Sequence, residues 1–442
     1  MDKSVFVPLL AAWGIALAPL IYVTFRRPAS GFVASYCFQM WMFYWLGALV
    51  HSFPWSDLPD SDAVADGFRQ ATFGILAFAA GVLLLGPALG KAILHKQGTD
   101  GESSVDPRMP RKYITAGLIS YFVLAPTIGR IPGLNAVPMI GSQLIIVGLC
   151  LRCCLAWRRS GNAGLVKALI PTFIIPAVLL VREGFMSYGI ILISTIFIFA
   201  AKYFRPRWIL AVGFVTCAYM GLTLYVSYMK DRTEIRDAVW GGQSISDRFS
   251  AISKMKDNFG FFSPQDNEQL EVIDGRLNQN GIVGAAVAHL EDTSDYMHGA
   301  TIIDAVLAMV PRLLWPNKPI NAGSGLLVSK LTGIEFGAAT SVGIGPVLEF
   351  YGNFGTIGVL AGFFVLGVVI RGLDYAAGVH LQTGNWLEFM ATFLFGMSCL
   401  NVSGSLVETT AAAAASVVVA KTVKRLLKRA IDAPIPAVEA LA

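Results

Sequence analysis

The chain has 442 residues, of which 55% are hydrophobic and 14% charged, with a mean hydropathy of +0.60. Soluble domains carry about 25% charged residues, so this balance excludes a soluble globular protein and specifies a polytopic membrane protein. The formal net charge of +5 calls for no nucleic-acid partner, because Lys and Arg collect in short loops beside apolar spans, as the positive-inside rule describes.

In chain order, apolar segments near the ~20 residues that cross a bilayer fall at 4–25, 31–52, 68–92, 113–129, 136–157, 165–181, 187–203 and 208–228. The first lacks a charged start and a small-residue cleavage site, so it is expected to be retained as a span. Every second connection is basic: Arg26 and Arg27, then Lys91 to Lys112, then Arg158 to Lys167, then Lys202 to Arg207, while Asp57 to Asp66 is acidic. This alternation predicts an outside N-terminus and makes 94–112 a flexible cytoplasmic linker. Cys37, Cys150, Cys153, Cys154, Cys217 and Cys399 all fall in expected spans. They indicate neither a disulfide framework nor a zinc site, and the Cys150, Cys153 and Cys154 face reads as core.

A polar insertion follows, placed on the outer side. Ser246 to Phe259 has helical apolar spacing, and Asn267 to Leu290 reads as a second helix that Asn280 and Gly281 can divide. Between Lys230 and Gly299 there are seven Lys and Arg against twelve Asp and Glu, so any anion site must be local. Next comes Tyr296 to Pro319, the expected floor of a site. A helix from Ala300 to Trp315 would be roughly 22 to 24 Å long at ~1.5 Å per residue, too short to cross, so it is expected to lie along the surface or re-enter. Val342 to Gly355 looks too broken by Gly and Pro for a plain span. Thr356 to Ile370 is expected to cross inward to Arg371, Trp386 to Leu406 outward, and Val407 to Ala420 inward to a basic C-terminal stretch.

The expected architecture is therefore an all-α polytopic membrane protein with about 11 transmembrane helices and one large helical loop on the outer side. Eight helices occupy 1–228, the loop domain 229–337, three more helices 338–430, and a cytoplasmic tail 431–442. There is no sign of the inverted halves that build many transporters.

Several residues can carry chemistry. Arg182, beside Glu183, is a charge at the outer end of a span, where it needs a partner or a task. Arg276, Arg312 and Lys318 are further cations, and the planar donor fork of Arg suits diphosphate oxygens. For Arg276 the alternative is a solvated helix face. His298 and Glu349 are candidate general bases, His298 with plain loop polarity as the alternative, Glu349 because a carboxylate in so apolar a stretch is otherwise hard to justify. Tyr296, Trp315 and Tyr351 are aromatics of the kind common at a membrane interface.

Four stretches stand in a telling order: GRLNQNG (Gly275 to Gly281), YMHGATII (Tyr296 to Ile303), VPRLLWPNKP (Val310 to Pro319) and GPVLEFYGNFGTIG (Gly345 to Gly358). Together they resemble the signature of Wzy-type O-antigen and exopolysaccharide repeat-unit polymerases, over about residues 270–360. The resemblance implies a GT-C-like bacterial inner-membrane glycosyltransferase with its N-terminus and large loop periplasmic and its C-terminus cytoplasmic. Undecaprenyl-diphosphate-linked oligosaccharides would be both donor and acceptor, membrane lipids the surroundings, and a chain-length regulator a further partner. It also implies diphosphate binding by Arg182, Arg276, Arg312 and Lys318, a base at His298 or Glu349, and sugar contacts at Tyr296, Trp315 and Tyr351. No cofactor and no metal are expected, since there is no P-loop, Rossmann glycine run or spaced carboxylate pair. Glu183 next to Arg182 departs from the expected small neighbours and weakens that position. An O-antigen ligase would share the donor. A flippase or other transporter of lipid-linked oligosaccharides would need a polar path through the spans.

Overall fold

The computed structural model describes residues 3–97, 106–131, 134–175, 178, 187–241, 260–310, 315, 324–337, 340 and 342–432. Among these residues the chain is helical and contains no strand. In order, the helices are α1 (Phe6–Arg26), α2 (Phe32–Ser52), α3 (Ser61–Leu84), α4 (Gly86–Gln97), α5 (Met109–Ile119), α6 (Ala136–Phe173), α7 (Ser187–Ala201) and α8 (Arg207–Trp240). They continue with α9 (Asn267–Leu277), α10 (Asn280–Thr293), α11 (Ala300–Ala308), α12 (Ser324–Thr332), α13 (Gly345–Thr383), α14 (Trp386–Ser398) and α15 (Leu406–Asp432). Seven of the described helical segments are long and apolar enough to cross a membrane. The protein is thus a helical membrane protein.

The expected spans at 136–157 and 165–181 begin as one helical run, α6, bent where Ser160 and Gly161 leave helical geometry. A kink leaves the apolar pattern almost unchanged, so hydropathy alone divides such a run arbitrarily. α8 continues unbroken past residue 228 to Trp240, carrying helix beyond the expected membrane boundary. The expected helix Ser246 to Phe259 lies outside the described residues. Asn267 to Leu290 is divided, but the break falls at Asn278 and Gln279, and the expected breakers Asn280 and Gly281 open the second helix instead. α11 ends at Ala308, well short of Trp315. Pro311 has no N–H for the carbonyl of residue 307 and disfavours helical geometry in the residue before it, which gives a chemical reason for the early stop.

The largest departure concerns α13. The expected broken stretch is helical from Gly345 onward and joins the following span in one element of 39 residues, bent at Phe354 and Gly355. Gly355 has φ 59 and ψ −150, a conformation that glycine adopts without a Cβ clash. Arg371, expected as a cytoplasmic flank, is only 2% exposed. Its Nη1 donates to Asp374 Oδ2 and to the Pro28 carbonyl, both at 3.2 Å. Asp374 Oδ1 in turn accepts from the backbone N–H groups of Ser30, Gly31 and Phe32 at 2.7 to 3.0 Å, and from Ser30 Oγ at 2.9 Å. A carboxylate at the start of α2 meets the positive end of that helix and its unpaired donors.

α13 is the central post, packed along α3, α4 and α14. It approaches α3 closely because Gly81 faces the Phe364 carbonyl and Gly367 faces the Phe78 carbonyl, each place lacking the Cβ that would hold the backbones apart. α9 to α12 gather at one end of the bundle, called the loop end below. α10 lies on the first turns of α3, where Gly67 and Gly284 allow similar contact. α2 prepares this docking with a π-helical turn at Trp41–Trp45. In that turn the Phe43 carbonyl accepts from Gln279 N at 2.9 Å and the Tyr44 carbonyl from Asn280 Nδ2 at 2.7 Å.

Candidate functional site

At the loop end, the chain before α11 is laid against the first turns of α13. Met297 N donates to the Gly352 carbonyl, and Gly299 N to Asn353 Oδ1, both at 2.8 Å. Asn353 Nδ2 donates to Thr301 Oγ1 and to the Glu349 carbonyl, both at 2.7 Å. Glu349 and Asn353 are 0% exposed and Thr301 3%, so these bonds form in a region where an unmet polar group is costly. The turn itself needs two successive left-handed residues, His298 at φ 45 and Gly299 at φ 91. His is among the non-glycine residues that tolerate this region. Because the residues on both sides are bonded to α13, the exposed His298 side chain projects from a pinned turn.

Glu349 is held from a third element. Its Oε2 accepts from Leu406 N, the first N–H of α15, at 2.7 Å, so the carboxylate caps a neighbouring helix. Its Oε1 is buried without a hydrogen bond among the described residues, although Thr301 stands nearby. Beyond Leu406 opens a polar cleft of 230 Å³, walled by Ser324, Asn401, Ser403, Ser405 and Glu408 and by backbone from Val342 to Ile344. Ser405 and Glu408 form a capping box there: Glu408 N donates to Ser405 Oγ at 3.2 Å, and Ser405 N to Glu408 Oε2 at 3.3 Å. Gln279 closes the near side, its Oε1 accepting from Tyr44 O–H at 3.0 Å beside the Cβ-less Gly345.

The structure thus brings Tyr296, His298, Glu349 and Tyr351 together. Tyr351 is buried, donates to Glu291 Oε1 at 3.4 Å, and lies beside Tyr296, the two rings 6.3 Å apart. Of the proposed sugar contacts, Tyr296 is half-buried and Trp315 is 37% exposed, so these two face outward more than Tyr351 does. Arg276 lies on the exposed face of α9, within electrostatic reach of Tyr225 and Tyr228 on α8. Among the described residues no hydrogen bond or ion pair joins Arg276 to the Asn353 cluster. Arg182, Arg312 and Lys318 lie outside the described residues. Asn353, Thr301 and Gln279 were missed by sequence reasoning. Asn353 carried a signal, a polar residue one helical turn beyond Glu349 in an apolar stretch.

Residues 33–393 match the family described as a domain of unknown function, DUF8712. The chain belongs to this family. No curated protein and no solved structure matched the chain. The DUF8712 stretch contains every loop-end residue named above except those from Ser324's cleft partners Asn401 to Glu408, including Leu406, which the Glu349 carboxylate caps.

Proposed function

We propose that this DUF8712 protein is a metal-independent polymerase of the Wzy type. In this reading it joins undecaprenyl-diphosphate-linked oligosaccharide repeat units on the periplasmic side, where the loop end would lie. The observation that carries the reading is convergence. Three of the four ordered motifs, separated by up to about seventy residues, meet at Gln279, Gly299 and Asn353. Shared chemistry would explain why the polar residues of these motifs concentrate at one end of an otherwise apolar bundle.

An acceptor hydroxyl oxygen attacks the anomeric carbon of the donor glycan, forming the new glycosidic bond. The carbon–oxygen bond to the diphosphate breaks, and lipid diphosphate leaves with the electron pair. The base must touch the acceptor hydroxyl, which favours the exposed His298 over the fully buried Glu349. Glu349 is then a positioning residue that ties the start of α15 to the site. Arg182, Arg276, Arg312 and Lys318 are the cations proposed for the diphosphate.

The test is an in vitro assay with purified protein and a lipid-diphosphate-linked repeat unit from the producing organism. Wild type should build a ladder of longer lipid-linked glycans, and folded His298→Ala should lose at least 10²-fold in rate. Transfer to a non-repeat acceptor without a ladder would favour a ligase. Movement of the lipid between leaflets without lengthening would overturn the polymerase in favour of a transporter.

A further inference from the structure

A second constellation stands at the loop end, built from His51, Ser61 and Asp274 of three separate helices. His51 is in the last turn of α2 and 0% exposed, Ser61 is the first residue of α3 and half-buried, and Asp274 lies on α9. His51 Nε2 is 2.8 Å from Asp274 Oδ1, and its Nδ1 is 3.0 Å from Ser61 Oγ. An ionised carboxylate only accepts, so the proton of a neutral ring belongs on Nε2. Nδ1 is then the acceptor, and the Ser61 O–H is the donor that faces it. The other contact of Ser61 Oγ, to the Leu58 carbonyl, is longer at 3.3 Å.

The carboxylate is itself oriented. Asn278 Nδ2 donates to the same Asp274 oxygen at 2.6 Å, in space left by the missing Cβ of Gly47. Asn278 Oδ1 accepts in turn from Asn280 N at 3.0 Å and Asn280 Nδ2 at 2.7 Å. A hydroxyl, an imidazole and a fixed carboxylate in series are the parts that make a serine nucleophilic, recognised by geometry and role rather than by order in the chain.

The surroundings bear on what such a site accepts. Ser61 begins a span and so sits at the membrane boundary, at the end of the connection that carries the exposed Trp55, which stacks on Phe53 at 5.2 Å. Asp57, Asp60 and Asp62 are all exposed around it. Lys3 Nζ is bonded to the Phe53 and Ser56 carbonyls, so three carboxylates against one ammonium leave the rim net acidic, which disfavours anionic substrates.

We propose that Ser61, His51 and Asp274 form a serine esterase site for uncharged carboxylic esters presented at the membrane boundary. Ser61 Oγ bonds to the ester carbonyl carbon as its proton passes to His51 Nδ1. The bond from that carbon to the alcohol oxygen breaks, and the alcohol leaves with the proton. Water, giving its proton to the same nitrogen, then attacks the acyl-serine, and the carboxylic acid departs as Ser61 regains its hydrogen. Asp60 gives α3 no side-chain cap and Val64 N is bonded to the Asp60 carbonyl, so the N–H groups ahead of Val64 are the donors for the carbonyl oxygen. Asp274 acts through His51 as a positioning residue. This inference does not depend on the polymerase reading.

The experiment treats the purified full-length protein in detergent with a fluorophosphonate probe, maps the adduct by mass spectrometry, and follows hydrolysis of p-nitrophenyl butyrate. One adduct per chain is expected, at Ser61, with both adduct and hydrolysis lost in Ser61→Ala. Asp274→Asn, which releases the ring tautomer, should slow labelling at least ~10²-fold. Its melting temperature, and that of Ser61→Ala, show that each variant is folded. Wild type that stays unlabelled, label or hydrolysis that persists in Ser61→Ala, or Asp274→Asn labelling at the wild-type rate would each overturn the assignment and leave His51 as a tie between helices.

Discussion

Replacing Asn353 by Leu tests whether one buried amide holds the His298 turn on α13. Asn353 accepts from Gly299 N at 2.8 Å and donates to Thr301 and to the Glu349 carbonyl at 2.7 Å each, at 0% exposure. Leu keeps the branched side-chain skeleton but has no polar atom, so the change removes the hydrogen bonds, and its bulkier methyl groups add strain in the same direction. The Thr301 oxygen keeps its own proton and can turn to another acceptor, and the Glu349 carbonyl lies within α13, so losing either bond costs about 0.5 to 1.5 kcal/mol. Gly299 N–H has no such recourse and, left unpaired in a buried site, costs about 1 to 3 kcal/mol. The two bonds that reach the turn, from Gly299 N and to Thr301, together hold it by about 1.5 to 4.5 kcal/mol, so it should open roughly 10- to 10³-fold more easily at 1.4 kcal/mol per tenfold. Amide hydrogen exchange in lipid nanodiscs, resolved to the peptide spanning Met297 to Thr301, reads this directly. The rest of α13 serves as an internal reference. Exchange within threefold of wild type at Gly299 would refute the reasoning, since the turn would then be held by something other than Asn353.

Three further outcomes follow from other parts of the fold. Asp374→Ala removes the carboxylate that accepts from the Ser30, Gly31 and Phe32 N–H groups, leaves only Ser30 N a partner in the backbone carbonyl of residue 374, and takes the counter-ion from Arg371 at 2% exposure, so thermal unfolding in detergent should register a loss of about 3 to 5 kcal/mol; a loss under 1 kcal/mol would contradict this. Gly367→Leu places a side chain against the Phe78 carbonyl and should cost at least about 1 to 3 kcal/mol by overpacking the α3 crossing, seen as a lower melting temperature. Glu349→Ala strands Leu406 N, and exchange at the start of α15 should quicken by about 5- to 10²-fold, whereas Glu349→Gln keeps an acceptor and should stay near wild type. Equal exchange in the two variants would show that Glu349 does not cap α15.

The sequence by itself determined that this is a helical membrane protein, because apolar runs of bilayer length admit no other solution once every backbone donor must be paired inside the chain. It also located the stretches that hold the loop-end residues, since Gly, Asn and charged groups in such a chain need a local reason to be there. It singled out Glu349 as a polar group in an apolar setting, but it could not reveal that the carboxylate faces Leu406 N across 57 positions of chain. Tertiary structure alone decided that Arg371 is buried against Asp374 rather than flanking a span, because a charge is read as exposed unless its partner is known. It alone joined α13 across the Phe354 and Gly355 bend, where hydropathy registers composition but not backbone angle. It alone turned Asn353 from an unremarked amide into the link between two motifs, and set His51 between Ser61 and Asp274. Hydropathy depends on residues close in the chain, whereas these pairings depend on where helices cross. Those crossings are set by small residues such as Gly81 and Gly367 and by the π-helical turn that receives Gln279 and Asn280.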